Sequence, residues 1–164
     1  MDTLTLKGRW TVECFDPDGS LAWRDAFDNM TTNAGVTDVL AVYLGGATQK
    51  TAWYLGLIDA AGFASLAAGD VMTSHPGWTE STAYTGARPA WVPGSAVGGS
   101  ITNPTPINFA MNATVTIRGA FVASDATAGG TAGLLFATGQ FGSPQSVVSG
   151  QNLKISYTCS GTGS

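Results

Sequence analysis

Apolar residues at every second position, broken at short intervals by turn formers, set the strongest limit on how this chain folds. Leu4, Leu6, Trp10, Val12 and Cys14 fall on one side of a period-two pattern, with Lys7, Arg9, Thr11 and Glu13 between them and Gly8 interrupting the apolar face. Side chains of a strand point alternately to opposite faces, so this pattern predicts a half-buried strand. Asp16-Pro17-Asp18-Gly19 then turns the chain, with Pro fixing φ and Gly permitting a positive one. Leu21, Trp23 and Phe27 continue as a second strand. The two form an N-terminal hairpin over residues 4–28. The aspartates of the turn lack the further ligands and the closing glutamate of a calcium loop, so we expect no metal there.

The same texture returns late in the chain. Residues 107–111, 115–124, 133–141 and 153–159 read as strands, separated by Asn112-Ala113, Gly129-Gly130, Gly142-Ser143-Pro144 and Ser149-Gly150. Short strands at near-regular spacing predict a mainly β chain, a single β-sandwich or jelly-roll-like domain over residues 1–164. Residues 160–164, rich in Gly and Ser, are expected to fray.

One run breaks the pattern. After a cap at Thr32 or Asn33, Val36, Val39, Leu40, Tyr43 and Leu44 fall at i, i+3, i+4, i+7 and i+8, and Gly45-Gly46 ends the run. This predicts one short amphipathic helix over 33–44. A helix this short needs a sheet to pack against.

Between residues 59 and 106 we expect a long central loop. It holds the only histidine, His75, flanked by Asp70 and Glu80. A zinc site needs three or four ligands, and the cysteines lie far off in sequence. Ser74 beside His75 is no catalytic pair without a third, orienting group. We therefore read Asp70, Ser74, His75 and Glu80 as residues that structure the loop around Pro76-Gly77. The glycine pairs of the second half lack the lysine and the strand-to-helix setting of a phosphate loop, and we read them as turns. Trp78, Tyr84, Arg88 and Trp91 have the chemistry of interface anchors. We expect them to pack the loop or fill a subunit interface; a sugar-binding platform is the alternative.

Charge is scarce and uneven. Only 11% of residues are charged, against roughly 25% in an average soluble protein. Residues 2–28 carry nine charges, and everything after Arg88 carries three: Arg118, Asp125 and Lys154. A charge-poor surface suits self-association, and a monomer coated with Ser and Thr is the other reading. With a net charge of −4 and no basic cluster, we expect no nucleic-acid partner. No apolar run approaches the ~20 residues that span a bilayer, so we expect no membrane partner. MDTLTLKGRW lacks the basic and apolar regions of a secretion signal, which predicts folding in a cytoplasm. Cys14 and Cys159 lie in the first and last strands; two buried thiols are the favoured reading over a bridge.

The order of motifs resembles a family of small structural proteins of tailed-bacteriophage virions. The residues that carry the resemblance begin with Leu21-Ala22-Trp23 and Asn29-Met30-Thr31-Thr32-Asn33-Ala34-Gly35, followed by Trp53-Tyr54-Leu55-Gly56-Leu57-Ile58-Asp59. Ala68 to Glu80 comes next, with Ser74-His75-Pro76-Gly77-Trp78-Thr79-Glu80 its most specific part, then Tyr84, Ala87-Arg88-Pro89-Ala90-Trp91 and Ile117-Arg118-Gly119-Ala120-Phe121. The resemblance implies a non-enzymatic virion component with no cofactor, made in the bacterial host cytoplasm. Capsid decoration (cement) on the exterior of the head is the first expectation. The partners would then be the major capsid protein and further copies of the chain, as a homotrimer or homodimer. A tail or tail-fibre component, binding a glycan through the Trp78–Trp91 loop, is the second.

Overall fold

A computed structural model describes residues 4–163. The described chain is mainly β: β1 (Leu4–Phe15), β2 (Leu21–Thr31), helix α1 (Asn33–Tyr43), β3 (Trp53–Asp59), β4 (Glu80–Ser81), β5 (Ala90–Trp91), β6 (Ser100–Thr102), β7 (Ile107–Ala110), β8 (Val115–Ala123), β9 (Leu135–Val147) and β10 (Asn152–Gly163). All pairings between strands are antiparallel, in the order β4-β3-β8-β9-β2-β1-β10-β6, with β5 added to β3 and β7 to β10.

The sheet folds over on itself at β2. Residues Arg9 to Phe15 of β1 pair with the first part of β2, whereas Asn29, Met30 and Thr31 pair with β9. A strand that changes partners in this way turns the corner of a sandwich. On the far side the sheet nearly meets itself: Tyr84 bridges Met111, and the Thr85 N–H donates to the Ala110 carbonyl. The main core fills the space between the layers. Trp10 lies against Tyr157, ring centroids 4.4 Å apart, and Phe27 packs edge-on to Phe141 at 4.8 Å.

Two glycines make this packing fit. A Cβ on Gly56 of β3 would stand 2.1 Å from the Phe121 ring, and one on Gly8 would meet the Asn29 side chain and the Tyr157 ring at 2.6–2.7 Å. The gap in the apolar face of β1 is therefore the space those side chains occupy.

Several sequence expectations are corrected. The segment 59–106 is not one loop, because β4, β5 and β6 lie within it. Gly142-Ser143-Pro144 do not end a strand: β9 continues to Val147 through a bulge in which Phe141 to Pro144 stand opposite Arg118, between the pairs Gly119–Gln140 and Ile117–Gln145. The Arg118 guanidinium donates to the Phe141 carbonyl that this bulge exposes. The C-terminal residues do not fray through Gly163, since Leu4 pairs with Gly163 and the ladder runs unbroken to Phe15 and Asn152. The favoured reading of Cys14 and Cys159 as free thiols holds, with Cys159 only partly buried: they lie on neighbouring strands, but Cys159 faces Gly8 and Cys14 faces Leu153, a register that keeps them apart.

The helix departs most from expectation. Its first turn is well held: Thr32 Oγ1 accepts from the Gly35 N–H at 2.9 Å and donates to the Leu135 carbonyl at 2.6 Å, and Gly35 lies against the Phe136 carbonyl. Beyond that turn the predicted stripe does not pack as a unit. Val39 and Val42 turn partly inward, while Val36, Leu40, Tyr43 and Leu44 face outward. Anchoring at the N-cap fixes the helix's rotation, and that rotation leaves most of the stripe in solvent.

Candidate functional site

The central segment covers the outer face of β3, β8 and β9 and builds a second, smaller core there. Trp78, Met72 and Ile58 pack with Phe121, Ala123 and Leu135. Strands buried on both faces read as continuous apolar runs, which accounts for Leu55 to Ile58 and for Ala120 to Ala123. Asp70 Oδ2 accepts from the indole Nε1 of Trp78 and from the Ala67 N–H, both at 2.9 Å. His75 stacks on Trp78 at 3.8 Å, and its Nδ1 donates to the Trp78 carbonyl at 2.9 Å. Ser74 is exposed, and its backbone N–H and C=O pair with those of Val71 to close the turn before Pro76-Gly77.

Glu80 and Arg88 form a buried ion pair, with side-chain exposures of 7% and 0%. The guanidinium meets the carboxylate in bidentate fashion, Nε to Oε1 at 2.9 Å and Nη2 to Oε2 at 2.7 Å. Its remaining donors reach the Asp125 carbonyl at 3.0 Å and the Gly130 carbonyl at 2.7 Å. Glu80 also accepts from the Tyr84 hydroxyl and the Gly129 N–H. Burial, and then the Glu80 carboxylate, push the Tyr84 phenol well above its ordinary range. This network ties the central segment to the 125–130 turn and satisfies both buried charges.

The expectation that Trp78, Tyr84 and Arg88 anchor a subunit interface is therefore corrected: all three lie inside the fold and offer no surface to a partner. The same burial takes Trp78, Tyr84 and Arg88 out of any sugar platform. Trp91 differs. It is half-buried, donates through Nε1 to Asn103 Oδ1 at 3.1 Å and to the Tyr157 carbonyl at 3.3 Å, and lines a cavity.

That cavity marks a region the sequence reading missed. The start of β1, the end of β10, α1, the start of β3, β5 and β6 all gather at one end of the sandwich. The Asp16–Ser20 turn and the 148–151 turn meet at the other, where the Gln151 side chain donates to Asp16 Oδ1 at 2.8 Å. At the helix end Tyr43 is 88% exposed, Leu44 78%, Val97 76% and Val92 68%, and Leu4, Val36 and Leu40 are exposed beside them. The charged side chains Asp38 and Lys50 pair with each other there at 3.0 Å. The turn end carries Asp16, Asp18, Arg24 and Asp25 with only Leu21 and Val148 as exposed large apolar residues. The signal was present in the sequence as the valines and the tyrosine near Gly45-Gly46 and Gly98-Gly99, but periodicity assigned the helical ones to the core.

Among the described residues no helix is long and apolar enough to cross a membrane. Compared with known proteins, the chain matches no family model and no curated sequence.

Proposed function

We propose that the protein is a non-enzymatic structural component of a tailed-bacteriophage particle that decorates the exterior of the head as a cement protein. The observation that carries this reading is the polarised surface, with the exposed apolar side chains gathered at the helix end. Several large apolar side chains exposed at one end, with few charges among them, mark an interaction site. The resemblance in sequence supplies the kind of particle. The major capsid protein is the proposed partner, and a closed homotrimer or homodimer would set several apolar ends against the lattice together. Binding the assembled lattice and not free subunits would stabilise the lattice by mass action. An acidic chain gains nothing from a DNA-filled interior. We assign no catalytic step to His75, whose ring is stacked and whose Nδ1 is engaged.

Heating particles that lack the protein tests this. They should break at a lower temperature than decorated ones, and added protein should restore them across moderate salt, because few charged contacts are available to screen. Deficient particles that are equally robust but fail to adsorb to cells would overturn the decoration reading and place the protein in the tail.

A further inference from the structure

The apolar end is not only a surface. Beneath α1 lies a cavity of about 250 Å³ that opens to solvent at the helix's C-terminal turn. Val39 and Val42 roof it, and Trp53, Trp91, Val122 and Phe136 form its walls and floor. The Trp53 and Phe136 rings meet at 5.3 Å and the Trp91 and Tyr157 rings at 5.6 Å, so the floor is aromatic. The polar groups around it are committed. Trp91 Nε1 already donates to Asn103 and Tyr157, and Lys50 and Asp38 at the mouth neutralise each other. Gln49, exposed at the mouth, offers an amide to one polar tip.

We propose that this cavity is a binding site for a small, neutral, mainly apolar molecule, a fused aromatic ring or a short alkyl chain carrying at most one hydroxyl. The volume sets the size: an apolar cavity of about 150 Å³ accepts benzene, so this one takes a larger ring system. The lining sets the chemistry, since a charged ligand would lose its hydration and find no free counter-charge. Concave, largely apolar pockets at the mouth of a β layer are where small ligands bind. The site stands independently of whether the same end docks on a capsid.

Calorimetric titration of the whole protein with 2-naphthol tests the proposal. Saturable binding of one molecule per chain is expected. Val39→Trp fills the cavity from the roof and should weaken binding about tenfold or more. Leu44→Ser changes only the exposed rim and should leave the affinity within about twofold. No saturable heat, undiminished binding by a folded Val39→Trp variant, or loss of binding in Leu44→Ser would each overturn the site. A second measurement needs no variant. Cys159 lines the cavity whereas Cys14 is fully buried, so alkylation by iodoacetamide at alkaline pH reports on Cys159. Saturating 1-hexanol, an alkyl chain with one hydroxyl that stays neutral at that pH, should slow that alkylation severalfold, and an unchanged rate would overturn the site.

Discussion

The central segment and the helix exchange the roles their sequences suggest. The segment from Ala60 to Pro89 has little regular structure, yet it buries a tryptophan, a tyrosine and an ion pair and encloses a core of its own. The helix is regular and correctly capped, yet it is fixed by its first turn and shows solvent a row of apolar side chains. Regularity is thus a poor guide to how firmly an element is held. What matters is whether its side chains find partners inside, and polar residues do that for the segment while a single cap does it for the helix.

The comparison breaks most sharply at Glu80. Glu80→Ala leaves the Arg88 guanidinium buried without its counter-charge and should cost about 3–5 kcal/mol in urea unfolding. Adding Arg88→Met to it should recover part of the loss, because the buried charge left without a partner is removed. A single-variant cost below about 1 kcal/mol would mean the segment is held by its apolar contacts alone. Asp70→Ala should follow at about 2–3 kcal/mol, from the two hydrogen bonds its carboxylate accepts; Trp78 emission shifted to the red would report the freed indole.

Alkaline pH offers a gentler probe. Burial, and then the Asp16 carboxylate, push the Cys14 thiol from 9.0 up to about 11, and burial raises the Tyr84 phenol as well. The folded protein then keeps protons that the unfolded chain releases. Stability is fully present below about pH 9 and falls as pH rises toward 11. Cys14→Val should flatten the first part of that fall, and Tyr84→Phe the part above pH 10. A flat profile in the unsubstituted protein would contradict both.

The smallest effect on stability is expected at the helix. Tyr43→Ser and Leu44→Ser should change unfolding by no more than about 0.5 kcal/mol. The same variants should lose occupancy on particles, measured by gel-band intensity after sedimentation. Full occupancy would show that this end is not the docking surface.

Much of the architecture is readable from residue order alone. The hairpin of β1 and β2, the Thr32 cap and the alternation in β10 follow from local chemistry, and the structure has them within a few residues. The bulge at Gly142-Ser143-Pro144 was not readable, because the same residues make turns and bulges and only the partner strand decides between them. The burial of Trp78, Tyr84 and Arg88 was not readable either. It depends on Phe121 and Gly130, about forty residues further along, closing over the segment. The exposed helix face was masked by its own periodicity: a stripe states that one side is apolar, not that a sheet is in place to receive it.

The ladder between β1 and β10 has a consequence in time. Residues 4–15 pair with residues 152–163, so β1 must wait for β10 to be made about 140 residues later. At about 5–20 residues per second that delay is roughly 8–30 s, long compared with collapse or hairpin formation. Until then Trp10, Val12 and Cys14 have only β2 beside them, and the main core cannot close. Synthesis of β10 therefore sets the earliest moment at which the main core can close, and Trp10 and Val12 stay uncovered on that side throughout the interval.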